Sequence, residues 1–192
     1  WMMESVTGKS LAERRNVQLR GRITMERVPQ GRKHLLSLTA AMQDCARLRL
    51  SYRKYSSNEA SDYIIHPYAL KEDSRRWYLV GYCEEREAVR VYALDRIVAL
   101  ETLQEHFTMP EGFDVEALFE GCFGVYLPDE GSRVEHIVFR AGQSEAKYLR
   151  DLPIHESQKE SAAPDGEPLF SIDVRPNREL LMEFLSRGSR VE

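Results

Sequence analysis

The chain has 192 residues, 42% of them hydrophobic and 30% charged, with a formal net charge of −4. These proportions fit an ordinary globular protein and exclude a disordered or fibrous chain. No apolar run approaches the roughly 20 residues of a membrane helix and the N-terminus lacks the apolar centre of a secretion signal, so the expected setting is cytoplasmic.

Charge is unevenly spread. Residues 9–54 hold 12 Lys and Arg against 3 acids, a local balance of +9 that leaves −13 for the rest. Such an end can face nucleic acid, or can simply be a solvated linker and helix face. Cys45, Cys83 and Cys122 form no CxxC pair, so neither a disulfide framework nor a thiolate zinc site is expected, and each reads as a small buried hydrophobe.

In chain order, "RITMERVP" alternates Ile23 and Met25 with polar residues, a short strand closed by Pro29 within a linker covering residues 1–31. From Lys33, Leu35, Leu38, Met42 and Cys45 recur at helical spacing. "LRLSYRKY" then alternates as a half-buried strand, with Leu48, Leu50 and Tyr52 on one face and Arg49, Ser51 and Arg53 on the other. "YIIHPYAL" is a second strand, at an edge or a bulge because Pro67 lacks a donor. "RWYLVGYCEEREAVRVYALDRI" supplies strands three and four, and "IVALETL" a fifth after a bend near Asp95 and Arg96. One helix and five short strands suit a small barrel at residues 32–108.

A linker at residues 109–133 carries a short helix capped by Asp114. Residues 134–192 then read strand, helix begun by Ser144, extended segment, strand, and a helix capped by Asn177 and ended by Gly188. This order describes an α+β fold, with the small barrel followed by a ferredoxin-like βαββα domain.

Within this order the central motifs resemble the WYL-domain family. The tripeptide stands at Trp77, Tyr78 and Leu79, preceded by "LRLSY" at 48–52 and "HPYAL" at 66–70, and followed by "VRVYALDRI" at 89–97. "VEHIVFRA", "DG" and "ELLMEFLSRGSRVE" resemble the C-terminal extension called WCX that often follows WYL. The resemblance implies an Sm-like, SH3-type barrel acting as a sensor in bacterial transcription regulators, usually behind an N-terminal winged helix-turn-helix. It also implies nucleic acid or nucleotide-like effectors and a homodimer. No helix-turn-helix pattern precedes residue 33 in this chain, so promoter DNA would be reached through a domain missing here.

Centring the hairpin turn between Arg86 and Glu87 pairs Cys83 with Arg90, Gly81 with Tyr92 and Trp77 with Arg96. Arg90, Tyr92 and Arg96 then share one face, and Gly81 leaves room for a ring or a ligand. A one-residue slip would bring Tyr78 and Tyr82 to that face instead. Guanidinium groups bind phosphate bidentately and rings stack on bases, so this face fits a nucleotide. The competing reading is structural, with arginines covering aromatic area through cation–π contacts. His66 is either a core group bonded to backbone or a phosphate contact when protonated. Tyr52, Tyr68 and Tyr78 can each offer a hydroxyl at a pocket rim.

Other signals fail. "TGKS" at 7–10 ends like a phosphate-binding loop, but Met3 stands where that motif needs Gly. No HExxH, metal-ligand histidine spacing or GxSxG occurs, so neither a metal, a cofactor nor catalysis is expected. The expected function is the ligand-sensing and dimerisation region of a bacterial transcription regulator, binding an anionic, nucleic-acid- or nucleotide-derived effector. The alternative is a stand-alone single-stranded nucleic-acid-binding module.

Overall fold

Two antiparallel sheets, each with its own core, organise the chain. The computed structural model describes residues 30–128, 131–163 and 165–192, so the strand expected at "RITMERVP" and the "TGKS" motif lie outside the described residues. A 3-10 turn, Gln30–His34, leads into α1, Leu35–Gln43, whose Leu38 and Ala41 are buried. Five strands follow: β1 (Ala46–Arg53), β2 (Ala60–Asp73), β3 (Arg76–Cys83), β4 (Ala88–Ala93) and β5 (Ile97–His106). The period-2 pattern of β1 is realised as expected, with Leu48, Leu50 and Tyr52 buried and Arg49 and Arg53 exposed.

The first sheet runs in the order β4-β3-β2-β1-β5. Its outermost strands, β4 and β5, are joined only by the 3-10 turn Leu94–Arg96. Four strand spacings in a flat sheet would separate them by about 19 Å, whereas the four Cα steps from Ala93 to Ile97 reach about 14 Å at most. The sheet therefore curls. Leu38, Leu48, Leu50, Ile65, Leu79 and Leu94 fill its concave side with no exposed surface, each stabilising the fold by roughly 1.5–3 kcal/mol. Pro67 falls at the register irregularity between β2 and β3, where its missing donor costs nothing.

The β3–β4 register differs from the sequence expectation. Gly81 pairs with Arg90, Leu79 with Tyr92 and Tyr78 with Ala93. The reason is the turn. Glu84–Arg86 forms a 3-10 turn and Glu87 takes a left-handed conformation at φ 48°, which centres the loop one residue earlier. Nor does Gly81 leave room for a ligand, because a Cβ there would meet the His66 carbonyl oxygen at 2.5 Å and Ile65 Cγ2 at 2.7 Å. Beyond the end of β3, Glu85 replaces a strand neighbour for β2: the Ile64 N–H donates to its two carboxylate oxygens at 2.8 and 3.1 Å, and Cys83 Sγ donates to one at 3.4 Å.

A short helix, α2 (Val115–Leu118), is capped as expected by Asp114, whose Oδ1 accepts from the Glu116 N–H at 2.8 Å. Phe119 and Cys122 beyond it pack on Ala69 and Val80, seating this segment on the outer side of β2 and β3. The second sheet contains β6 (Glu135–Arg140), β7 (Lys159–Ala162) and β8 (Pro168–Val174) in the order β6-β8-β7. Helices α3 (Gln143–Asp151) and α4 (Arg178–Arg187) contribute Ala146, Leu149 and Leu180 to its core. The α3 N-cap is Gly142 rather than Ser144, so that helix begins without a side-chain cap. Asn177 caps α4 as expected, accepting from the Leu180 N–H at 2.9 Å and donating to the Phe123 carbonyl at 2.8 Å. Gly188, at φ 58°, ends it.

Candidate functional site

Aromatic and cationic side chains gather where β1, the start of β3 and the Leu94–Arg96 turn meet. Tyr52, near the end of β1, points inward with the alternation of that strand. Its hydroxyl accepts the Ala93 N–H at 3.2 Å, and its ring meets Tyr92 edge-on with centroids 5.1 Å apart. Burial pushes both phenols above their ordinary pKa, so they stay neutral. Tyr92 lies behind Tyr52 and belongs to the core.

Arg96 occupies the front of this cluster. Its Cζ lies 3.8 Å from the Tyr55 ring centroid and 5.0 Å from that of Tyr52. Its Nη2 is buried yet has no hydrogen-bond partner among the described residues. A buried guanidinium donor normally finds an acceptor, and one without a partner is a place for an incoming oxygen. Tyr55 is 80% exposed, so one aromatic face of the cluster stands open to solvent. Beside it, Arg76 Nη2 donates to Asp95 Oδ2 at 2.5 Å and to the Tyr55 hydroxyl at 3.0 Å, and the Asp95 bond raises the guanidinium pKa still further. Arg76 thus fixes the Tyr55 ring against Arg96.

A second cationic group adjoins the same aromatic core. Lys54 Nζ lies 5.7 Å from the ring of Tyr63, which packs 6.1 Å from Tyr92. Burial works to raise the Tyr63 phenol, but hydrogen bonds from Lys54, Arg86 and Ser61 outweigh it and hold the pKa below its ordinary value.

Of the residues singled out from sequence, Tyr52, Tyr92 and Arg96 come together. Arg90 is exposed on β4, its Nη1 reaching only the Val89 carbonyl at 3.4 Å, and no described contact joins it to Arg96. Tyr78 sits half-buried opposite Ala93 and Lys71. His66 and Tyr68 lie on the outer side of β2, away from the inward Tyr63 and Ile65. There His66 Nε2 bonds Glu84 Oε1 at 2.8 Å and its ring stacks on Phe107 at 5.0 Å, while Tyr68 contacts Phe107 and Phe113. Glu84 also pairs with Arg47 at 3.2 Å. His66 therefore bonds a carboxylate rather than the backbone. Sequence reasoning passed over Tyr55, Arg76, Asp95 and Lys54. The Arg76–Asp95 pair spans 19 positions and leaves no local signal, whereas Tyr55 closing "YRKY" beside a polar loop was a readable hint.

The cluster presents a guanidinium group beside an exposed aromatic ring. Among the described residues no group of three or more His, Cys, Asp or Glu is placed to hold a metal. No described helix is long and apolar enough to cross a membrane.

Comparison with known proteins falls on the same region. Residues 33–102 match the WYL domain family. Over 65 residues the chain is 31% identical to the DNA-binding transcriptional repressor CapW of Stenotrophomonas maltophilia, covering 34% of this chain and 22% of CapW. Over 155 residues it is 23% identical to protein PafB of Mycobacterium tuberculosis, covering 79% of this chain and 45% of PafB. Among solved structures it superposes on proteasome accessory factor B/C of Arthrobacter aurescens with a TM-score of 0.42 at 21% identity, covering 88% of this chain and 25% of that one. The chain spans less than half the length of these proteins. The tyrosine–arginine cluster and most of the five-stranded sheet thus lie in the segment, residues 33–102, that matches the WYL domain family.

Proposed function

We propose that this chain is the ligand-sensing and dimerisation region of a bacterial transcription regulator, and that its WYL domain takes an anionic, nucleic-acid- or nucleotide-derived effector. In this reading residues 32–108 form an Sm/SH3-like barrel, residues 109–133 a linker, and residues 134–192 a ferredoxin-like WCX domain. The short β4–β5 connection, which forces the first sheet to curl, supports the barrel. One observation carries the effector site: the Arg96 guanidinium lies against two tyrosine rings with a buried donor left over. A phosphate oxygen satisfies that donor, and the exposed Tyr55 ring offers a base a stacking face.

A sensor also needs a route out of the site. Gly31, in the turn before α1, packs so closely on the Leu94–Arg96 turn that a Cβ would meet Leu94 Cβ at 2.5 Å and the Asp95 nitrogen at 2.7 Å. An effector that binds two settings of the arginine-bearing turn with different affinity would shift the preceding residues with it. From there the change would pass to a DNA-reading domain outside this chain.

The test is titration of the full chain with a labelled 12-mer oligothymidylate and, separately, with ADP, at two salt concentrations. Arg96→Ala removes a charge-assisted contact of about 1.5–3 kcal/mol and is expected to weaken binding roughly 10- to 100-fold. It should also flatten the salt dependence by about 0.7 per lost phosphate contact. Equal affinity in the variant ends the assignment.

The +9 balance of residues 9–54 favours a second reading, a stand-alone single-stranded nucleic-acid module that grips phosphates through that segment. It predicts oligothymidylate binding that survives Arg96→Ala but falls when Arg14, Arg15, Arg20 and Arg22 are replaced together. Neither reading assigns catalysis to the chain.

A further inference from the structure

A groove of about 1630 Å³ runs between the end of β2 at residues 70–74, the segment around α2, and the helices of the second unit. Phe119, Phe123, Ile154 and Met182 supply apolar lining. Tyr126, Leu152 and Met182 stand there 56%, 77% and 54% exposed, far more than a closed interface leaves. Its rim is acidic, with eight Asp and Glu side chains against three Lys and Arg.

Two of those cations are already engaged. Arg187 is bonded to Glu145 and Glu183, and Lys71 sits 4.8 Å from the Phe119 ring centroid. Across the groove, Glu179 of α4 feels Asp73 of β2, and burial together with that like charge holds its carboxyl above the ordinary range. The two units therefore approach one another with negative charge on both sides. Polyanions are repelled from such a surface, so this groove serves neither effector nor DNA.

The same chain carries a segment of opposite sign. Residues 9–27 carry six Lys and Arg against two Glu, interspersed with Leu11, Val17, Leu19, Ile23 and Met25. Long cationic side chains lay aliphatic stems on an apolar floor while their heads meet carboxylates, which is the chemistry this groove presents. The tether is short. Gly31 backs on Asp95, Asp95 holds Arg76 at 2.5 Å, and Arg76 pairs with Asp73 at the groove's edge. That path is no longer than about 25 Å, which roughly eight extended residues span at about 3.3 Å each.

We propose that the acidic groove between the two units docks the basic stretch of residues 9–27 of the same chain. Docking withholds those cations from nucleic acid, so the groove competes with phosphate for one set of charges. The reading does not depend on the effector site.

Hydrogen exchange measured by mass spectrometry on the full chain tests it. At 50 mM salt, amides of residues 9–27 should exchange at least fivefold more slowly than the same sequence as a free peptide, and 500 mM salt should abolish the difference. Combined Glu72→Lys, Glu116→Lys and Glu156→Lys should also abolish it, with β1 to β3 amides unchanged as the control for folding. Adding Arg14→Glu, Arg15→Glu and Arg22→Glu to that variant should restore it. Exchange equal to the free peptide at low salt overturns the proposal without any variant. Protection that grows with protein concentration assigns the groove to a second copy's segment and overturns docking within one chain.

Discussion

Gly31→Ala tests whether the segment before α1 and the arginine-bearing turn form one mechanical unit. The added Cβ would lie 2.5 Å from Leu94 Cβ, 2.7 Å from the Asp95 nitrogen and 2.8 Å from the Leu94 carbonyl carbon. Ordinary carbon contacts need about 3.5–4.0 Å, so one turn must back away by about 1 Å. Overpacking of this kind costs about 1–3 kcal/mol, while Ala recovers about 0.4–1 kcal/mol by restricting the unfolded chain. A net loss of about 1–2 kcal/mol lowers the melting temperature of a chain this long by roughly 2–8 °C. Leu94→Ala alone empties a fully buried site and costs about 2–5 kcal/mol. Thermal denaturation of the two variants beside the parent gives both losses, and oligothymidylate titration should show affinity falling in Gly31→Ala. An unchanged melting temperature in Gly31→Ala would refute the contact as a link.

Two further outcomes are expected. His34 has its pKa lowered below 6.5 by burial and by Lys33, against a smaller upward pull from the Ile97 backbone, and its Nε2 is buried without a partner among the described residues. The neutral ring is favoured in the fold and the unfolded chain binds the proton more readily. Stability is therefore fully present above pH 6.5 and is lost as pH falls through 6.5 toward the lower folded value. His34→Gln should flatten the melting temperature between pH 7.5 and 5, and an identical slope in both proteins would contradict the assignment. In the second unit, Arg187→Ala strips the carboxylate of Glu145, only 5% exposed, of its direct partner and leaves Arg190 Nη1 at 3.4 Å. A loss of about 3 kcal/mol in urea unfolding is expected, and Glu145→Gln added to it should recover part of that loss.

Elements with a strong periodic signature were legible in sequence. β1 alternates as read, β8 occupies the expected residues, and α4 lies between Asn177 and Gly188 as its capping residues indicate. Elements fixed by distant contacts were not. β2 runs from Ala60 to Asp73 because it pairs on both sides, and nothing in its own polar ends announces that length. The site divides the same way. Tyr52 and Arg96 stood out by residue type, yet their meeting with Tyr55 and Arg76 depends on the curl that brings the end of β1 to the β4–β5 turn. Likewise His66 carries a carboxylate partner, Glu84, supplied by the turn after β3.

Strand faces repeat every second residue, so sliding β4 along β3 by two positions leaves every inward side chain inward. Burial therefore cannot choose between Gly81 opposite Arg90 and Gly81 opposite Tyr92, and the hydrophobic core would accept both. Glu85 breaks the tie: its carboxylate reaches a third strand to take the Ile64 amide, and a shifted loop would carry it out of range. One acidic side chain thus turns a ladder that could slip in steps into one with a single setting, and Arg96 inherits its position from that choice.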